Sequence, residues 1–109
     1  MSYNLNKRSI ILEKPKRTAD PKLLESYRGR PCVVCAQPGV GHHIKSVGSG
    51  GPDADFNLLA ACVSHHREVH DKGLTIFLSK YPHVATYLSL KGWQITYTSP
   101  GISLWHPDL

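Results

Sequence analysis

Apolar positions in this chain fall in short bursts separated by turn signals, so the pattern predicts several small elements rather than one long one. Asp20-Pro21 reads as an N-cap followed by a first-turn proline, and a short helix through Leu23, Leu24 and Tyr27 should end at Gly29. Cys32-Val33-Val34-Cys35 then forms a tight turn, and Gln37-Pro38-Gly39 is a second turn signal. Val40 to Lys45 suits a strand, Val47 to Phe56 is a Gly-, Asp- and Pro-rich loop, and Leu58 to Ala61 suits a second strand. Val63 to Asp71 has no breaker and stops before Gly73, which predicts a helix. Two more short helices follow over Leu74 to Lys80 and His83 to Leu90, with Leu74, Phe77, Leu78, Val84, Tyr87 and Leu88 as their buried faces. Trp93 to Tyr97 and Ile102 to Trp105 read as strands around Ser99-Pro100-Gly101. Tyr81, Tyr87, Trp93, Tyr97 and Trp105 are read as core, although aromatics can also stack on bases. His83 and His106 are expected at the surface.

A length of 109 residues fits one domain, and a core that small calls for an additional staple. Disulfides are a poor candidate. No apolar run is long enough to span a membrane and Met1 to Lys7 does not resemble a signal peptide, so a cytoplasmic location is expected. Three cysteines in a reducing compartment point to metal instead. The net charge of +5 suits a polyanionic partner. Much of it sits in a basic arm over residues 1–20, with Lys7, Arg8, Lys14, Lys16 and Arg17. That arm reads either as a phosphate-contacting segment or as a solvated tail. Residues 21–109 form the remaining domain.

Cys32-x-x-Cys35 and Cys62-x-x-His65 supply two ligand pairs at zinc-knuckle spacing, so four soft or borderline donors can converge tetrahedrally. Buried thiols paired by chance are the alternative, and a redox C-x-x-C lacks its usual βαβ setting. His66, next to His65, is a possible substitute. Adjacent helical residues point about 100° apart, so only one of the two can face a given site.

His42, His43, Asn57, His66 and His70 then remain. His42 and His43 are neighbours on a strand and point to opposite faces, so one can bind a metal while the other addresses a substrate. His66 and His70 share a helix face at i and i+4, a chelating pair that a strand histidine would complete as an open three-histidine site. An open metal polarises a phosphoryl oxygen, and a free histidine is suited to deprotonating water. Several solvated surface histidines are the bland alternative.

Gly41-His42-His43-Ile44, Ser49-Gly50-Gly51-Pro52-Asp53, Asn57-Leu58-Leu59 and Cys62-Val63-Ser64-His65-His66-Arg67-Glu68-Val69-His70 together resemble an HNH endonuclease of the ββα-metal (His-Me finger) fold. The resemblance covers about residues 30–73, and the flanking cysteines are similar to those of zinc-stapled phage HNH proteins. It implies a ββα-metal core, which with the short helices and C-terminal hairpin read from the pattern makes a small α+β domain. It implies His43 as general base and Asn57 as the residue that ties loop to strand and so orients that base. It implies His42, His66 and His70 as ligands of one catalytic divalent ion, and Cys32, Cys35, Cys62 and His65 as ligands of structural zinc. Relatives usually carry a fourth cysteine where His65 stands, and many carry aspartate where His42 stands. Histidine at 42 favours a borderline transition metal such as Ni2+ or Zn2+ over Mg2+, with Mn2+ and Mg2+ still open, the latter because cells supply far more of it.

The implied reaction is in-line hydrolysis of a DNA phosphodiester, leaving a 5′-phosphate and a 3′-hydroxyl, with RNA also open as substrate. Lys45 and Arg67 lie near enough in sequence to contact the phosphate, or are plain surface charge. A homodimer, or a phage DNA-processing complex in the host cytoplasm, would fit such an enzyme, and no membrane partner is expected. The competing function is a non-catalytic zinc module that binds DNA, or a recombination or packaging accessory. The non-catalytic module would have no use for His43 or the H-x-x-x-H pair, whereas an accessory of the nuclease fold would cut only within a complex.

Overall fold

The computed structural model describes residues 17–109. Lys7, Arg8, Lys14 and Lys16 of the expected arm lie outside the described residues. Helix α1 (Pro21–Tyr27) starts as its sequence dictates: the Asp20 carboxylate accepts from the Leu23 N–H at 3.1 Å and Pro21 occupies the first turn. The chain reverses at Gly29, whose φ of 83° favours a residue without Cβ. It then enters a tight knuckle in which Cys32 N–H donates to Gln37 O at 2.7 Å and Ala36 N–H to Cys32 O at 2.9 Å.

Strands β1 (Val40–His43) and β2 (Leu58–Ala61) pair antiparallel, with Val40 opposite Ala61, His42 opposite Leu59 and His43 opposite Leu58. β1 ends two residues earlier than expected because the Asn57 carboxamide takes over the backbone of Lys45. Asn57 Oδ1 accepts from Lys45 N–H at 2.8 Å while Nδ2 donates to Lys45 O at 3.0 Å. The expected loop between the strands contains two 3-10 turns, Val47–Ser49 and Asp55–Asn57.

Every residue of β2 is buried, because the hairpin has cover on both faces. On one side Leu59 and Ala61 join Val69, Phe77, Leu78, Val84, Leu88 and Trp93 in the main core. On the other side Leu58 and Ala60 pack with Tyr27 of α1. The main core is closed by helices α2 (Val63–Lys72), α3 (Leu74–Lys80) and α4 (Pro82–Leu90), and by the antiparallel hairpin of β3 (Gln94–Thr98) and β4 (Gly101–Trp105). The described residues thus form a small α+β domain with four α-helices and two two-stranded antiparallel sheets. Among them no helix is long and apolar enough to cross a membrane.

The C-terminal third departs from the sequence reading in three places. Tyr97 and Trp105 are not core: they are 70% and 55% exposed. Trp105 lies opposite Gln94 on the hairpin face turned away from the core, whereas Tyr97, opposite Ile102 on the covered face, sits at the turn end of the hairpin. His106 is not at the surface; it is buried, stacks on Phe56 with centroids 3.9 Å apart and meets Lys91 O at 3.0 Å. His83 is exposed as expected, with Nε2 3.0 Å from Val33 O.

Candidate metal centres

Helix α2 is the shared element of two donor clusters. Cys62 sits at its N-cap position but makes no capping hydrogen bond, because its sulfur turns toward His65 and Cys35. Cys35 Sγ lies 3.7 Å from Cys62 Sγ, and His65 Nδ1 lies 3.2 Å from Cys62 Sγ and 3.5 Å from Cys32 Sγ. Tetrahedral zinc with ordinary bond lengths has edges of roughly 3.8 Å between sulfurs and roughly 3.5 Å between sulfur and nitrogen. All four donor atoms lie within 4.8 Å of one another, so Cys32, Cys35, Cys62 and His65 can hold a metal such as zinc. Their electrostatics also suit a cation. Burial pushes the Cys32 thiol up, but the backbone N–H groups of Cys62, Val34 and Cys35 and the His65 ring outweigh it and bring it down to about 6. Cys35 is drawn down by the Gln37 N–H, yet burial and the neighbouring Cys62 and Cys32 sulfurs leave it raised. Without a cation the thiols resist ionising together, and a metal needs them as thiolates.

The second cluster uses the next residue of the same helix. His66 and His70 share a face, with Nε2 atoms 3.2 Å apart, close to the roughly 3.3 Å nitrogen–nitrogen edge of tetrahedral zinc. His42 enters from β1, its ring 4.9 Å from that of His66 and 5.3 Å from that of His70. The three nitrogens lie within 4.8 Å of one another, so this trio too fits a divalent ion. His42 is buried, His66 half-buried and His70 exposed, which leaves the trio open to solvent on one side. Burial, followed by the nearby His66, His70 and His43 rings, pushes His42 down to about 4, so it is neutral and available as a ligand at pH 7.

The hairpin register separates His43 from this trio. Cross-strand partners point to the same face. His42 therefore follows Leu59 toward the main core, and His43 follows Leu58 toward α1. His43 lines an open groove between α1 and β1 with Pro21, Leu24, Arg28 and Gly41. Its Nε2 lies 2.8 Å from Oδ1 of Asp53. Asp53 is itself only 4% exposed, accepts from Asp20 N–H at 2.8 Å through Oδ2 and pairs with the Arg17 guanidinium. Burial raises the Asp53 carboxyl, but the Asp20 N–H, His43 and Arg17 more than offset this and hold it below the ordinary carboxylate range. Arg17, expected in the basic arm, is turned inward, donating also to Gly51 O at 2.9 Å. Asp53 has no assigned role in the sequence reading. The only signal for it is its place in the Gly50-Gly51-Pro52-Asp53 turn.

Asn57 is fully buried and adds a 2.9 Å bond from Nδ2 to Pro52 O, so one carboxamide joins the end of β1 to the loop that carries Asp53. Lys45 and Arg67 are both exposed. Comparison with family models, curated proteins and solved structures finds no match for this chain.

Proposed function

We propose that this protein is a metal-dependent nuclease of the HNH type that hydrolyses DNA phosphodiester bonds. In this reading β1, β2 and α2 are its ββα-metal core. Cys32, Cys35, Cys62 and His65 hold structural zinc, and His42, His66 and His70 hold the catalytic divalent ion. The observation that carries the reading is that two adjacent helical histidines, His65 and His66, serve two donor sets of different chemistry. A four-donor set rich in thiolate is closed and suits a staple, whereas a three-imidazole set leaves a position for substrate. A divalent ion at the trio would supply Lewis-acid stabilisation of the phosphoryl oxygens and of the leaving 3′-oxygen.

His43 is the general base of this reaction, taking the proton of the attacking water on the side that faces the groove. Asn57 keeps the end of β1 and the 52–53 turn in register, and so holds the base. Lys45 and Arg67 contribute exposed positive charge to phosphate binding. The separation of His43 from the trio favours one rival, a zinc module that binds DNA without cutting it.

One experiment divides the two. The protein is stripped with a chelator, reloaded with one equivalent of zinc and incubated with supercoiled plasmid plus Mg2+, Mn2+ or Ni2+, with His43→Ala alongside. Metal-dependent nicking that disappears in His43→Ala is the expected result. Retardation of DNA without cleavage under any metal would establish the non-catalytic module instead.

A further inference from the structure

The geometry points to Asp53 as the positioning residue of the base: it holds the His43 ring through Nε2 and leaves Nδ1 as the atom that takes a proton from water. This rests on the nuclease reading above and assigns a role to a residue outside the histidine motif. A neutral imidazole carries one N–H, and the nitrogen that carries it is set by the hydrogen bond the ring makes. Here Nε2 faces an Asp53 oxygen at 2.8 Å, so Nε2–H donates and the lone pair lies on Nδ1. Nδ1 has no hydrogen-bond partner among the described residues. The ring itself borders the groove beside α1, which gives a substrate water a route to it.

Asp53 is built to do this work and little else. Its second oxygen is fixed by Asp20 N–H at 2.8 Å. The Arg17 guanidinium compensates its charge, and Arg17 is in turn tied to Gly51 O. The Asn57 bond to Pro52 O anchors the peptide immediately before Asp53. A buried carboxylate with both oxygens engaged cannot swing to follow the imidazole, so the imidazole must conform to it. Water gives a proton to His43 Nδ1 while its oxygen bonds to phosphorus, and the P–O3′ bond breaks. The leaving 3′-oxygen takes a proton from solvent water to become the 3′-hydroxyl, and the imidazolium, stabilised by Asp53, returns its proton to solvent.

The tautomer can be read without any variant. Histidine labelled with 15N at both ring nitrogens is incorporated into the zinc-loaded protein and observed at about pH 9, well above the ordinary imidazole range. His43→Ala identifies the signal. A protonated Nε2 and bare Nδ1 are expected for His43, with exchange between tautomers in Asp53→Ala. In plasmid nicking, Asp53→Ala is expected to lower kcat roughly 100-fold with KM nearly unchanged. Zinc content and ion binding at the trio should stay at wild-type values. A wild-type His43 protonated at Nδ1, or Asp53→Ala turning over at the wild-type rate, overturns the assignment. If Asp53→Ala does not fold, the wild-type tautomer still decides. Loss of cleavage in His43→Ala but not in Asp53→Ala removes Asp53 alone. A wild-type protein that cuts nothing removes the nuclease reading, and the catalytic role of Asp53 with it.

Discussion

The two donor clusters differ in closure although one helix feeds both. His65 joins three sulfurs, one of them the buried Cys32 on the knuckle before β1, so this set ties segments more than twenty residues apart in sequence. His66, one residue on, joins only His42 and His70, and His70 is exposed. The first cluster spends its four donors on connecting chain segments. The second also ties β1 to α2, but with three donors, and keeps a side open. In the proposed nuclease, stability and reactivity would therefore fall to different metals, and a single step of about 100° around α2 separates their ligands.

That contrast predicts very unequal responses to losing a ligand. Cys35→Ser, or strong chelation, should abolish cooperative thermal unfolding, since structural zinc contributes about 10 kcal/mol in small domains and a whole domain has about 5–15 kcal/mol. His70→Ala should leave the melt within about 0.5 kcal/mol of wild type while removing the second bound ion. Circular dichroism with metal content measured on the same samples tests both, and equal destabilisation by the two variants would erase the distinction.

Asn57 tests whether the open cluster depends on the loop that frames it. Asn57→Ala leaves the backbone of Lys45 and Pro52 O short of buried partners and should cost about 3 kcal/mol in chemical denaturation. The second ion should still bind, because none of its ligands is held by Asn57.

Lys91 provides a control remote from both metals. It donates to Tyr27 Oη at 3.0 Å, Asp55 O at 2.7 Å and Leu58 O at 2.9 Å. Burial lowers the Lys91 ammonium, but Tyr27 and Tyr87 outweigh it and raise it; burial, then the Asp55 hydrogen bond, raises Tyr27. Both groups have folded values above their unfolded ones. Their contribution is therefore complete below about pH 10 and is lost as pH rises through the raised values. Lys91→Met should destabilise by about 2 kcal/mol at pH 7 in a series of melts, with zinc content unchanged.

The smallest expected effect lies in the knuckle. Ala36 has φ of 68°, a left-handed conformation that costs a residue with Cβ about 1 kcal/mol. Ala36→Gly should stabilise the zinc-loaded protein by about 0.5 kcal/mol once the entropy of glycine is included. Destabilisation in urea titrations would show that knuckle strain is not what limits the closed cluster.

Much of this architecture is legible in the chain. The capped start of α1, the hairpin strands, the breaker-free α2 and the C-x-x-C and C-x-x-H spacings are all local features, and the folded domain realises each of them. The i and i+4 relation of His66 and His70 is equally local. Three things were not legible. Trp105 and Tyr97 have the composition of core residues, but Trp105 is on the uncovered face of the hairpin and Tyr97 is at its turn end. His106 carries no apolar pattern, yet Phe56 and Trp93 enclose it. Asp53 stands ten residues from His43 across an irregular loop, where no periodicity relates one position to another.

The donor types and their spacing within each segment belong to the sequence, because helix and strand geometry convert short separations directly into shared or opposed faces. Which of His65 and His66 joins the sulfurs, and which groups face His43, depended on the folded chain. Those relations run between segments, and they are set by the register of β1 on β2 and by the packing of α1 and α2 on opposite sides of that hairpin.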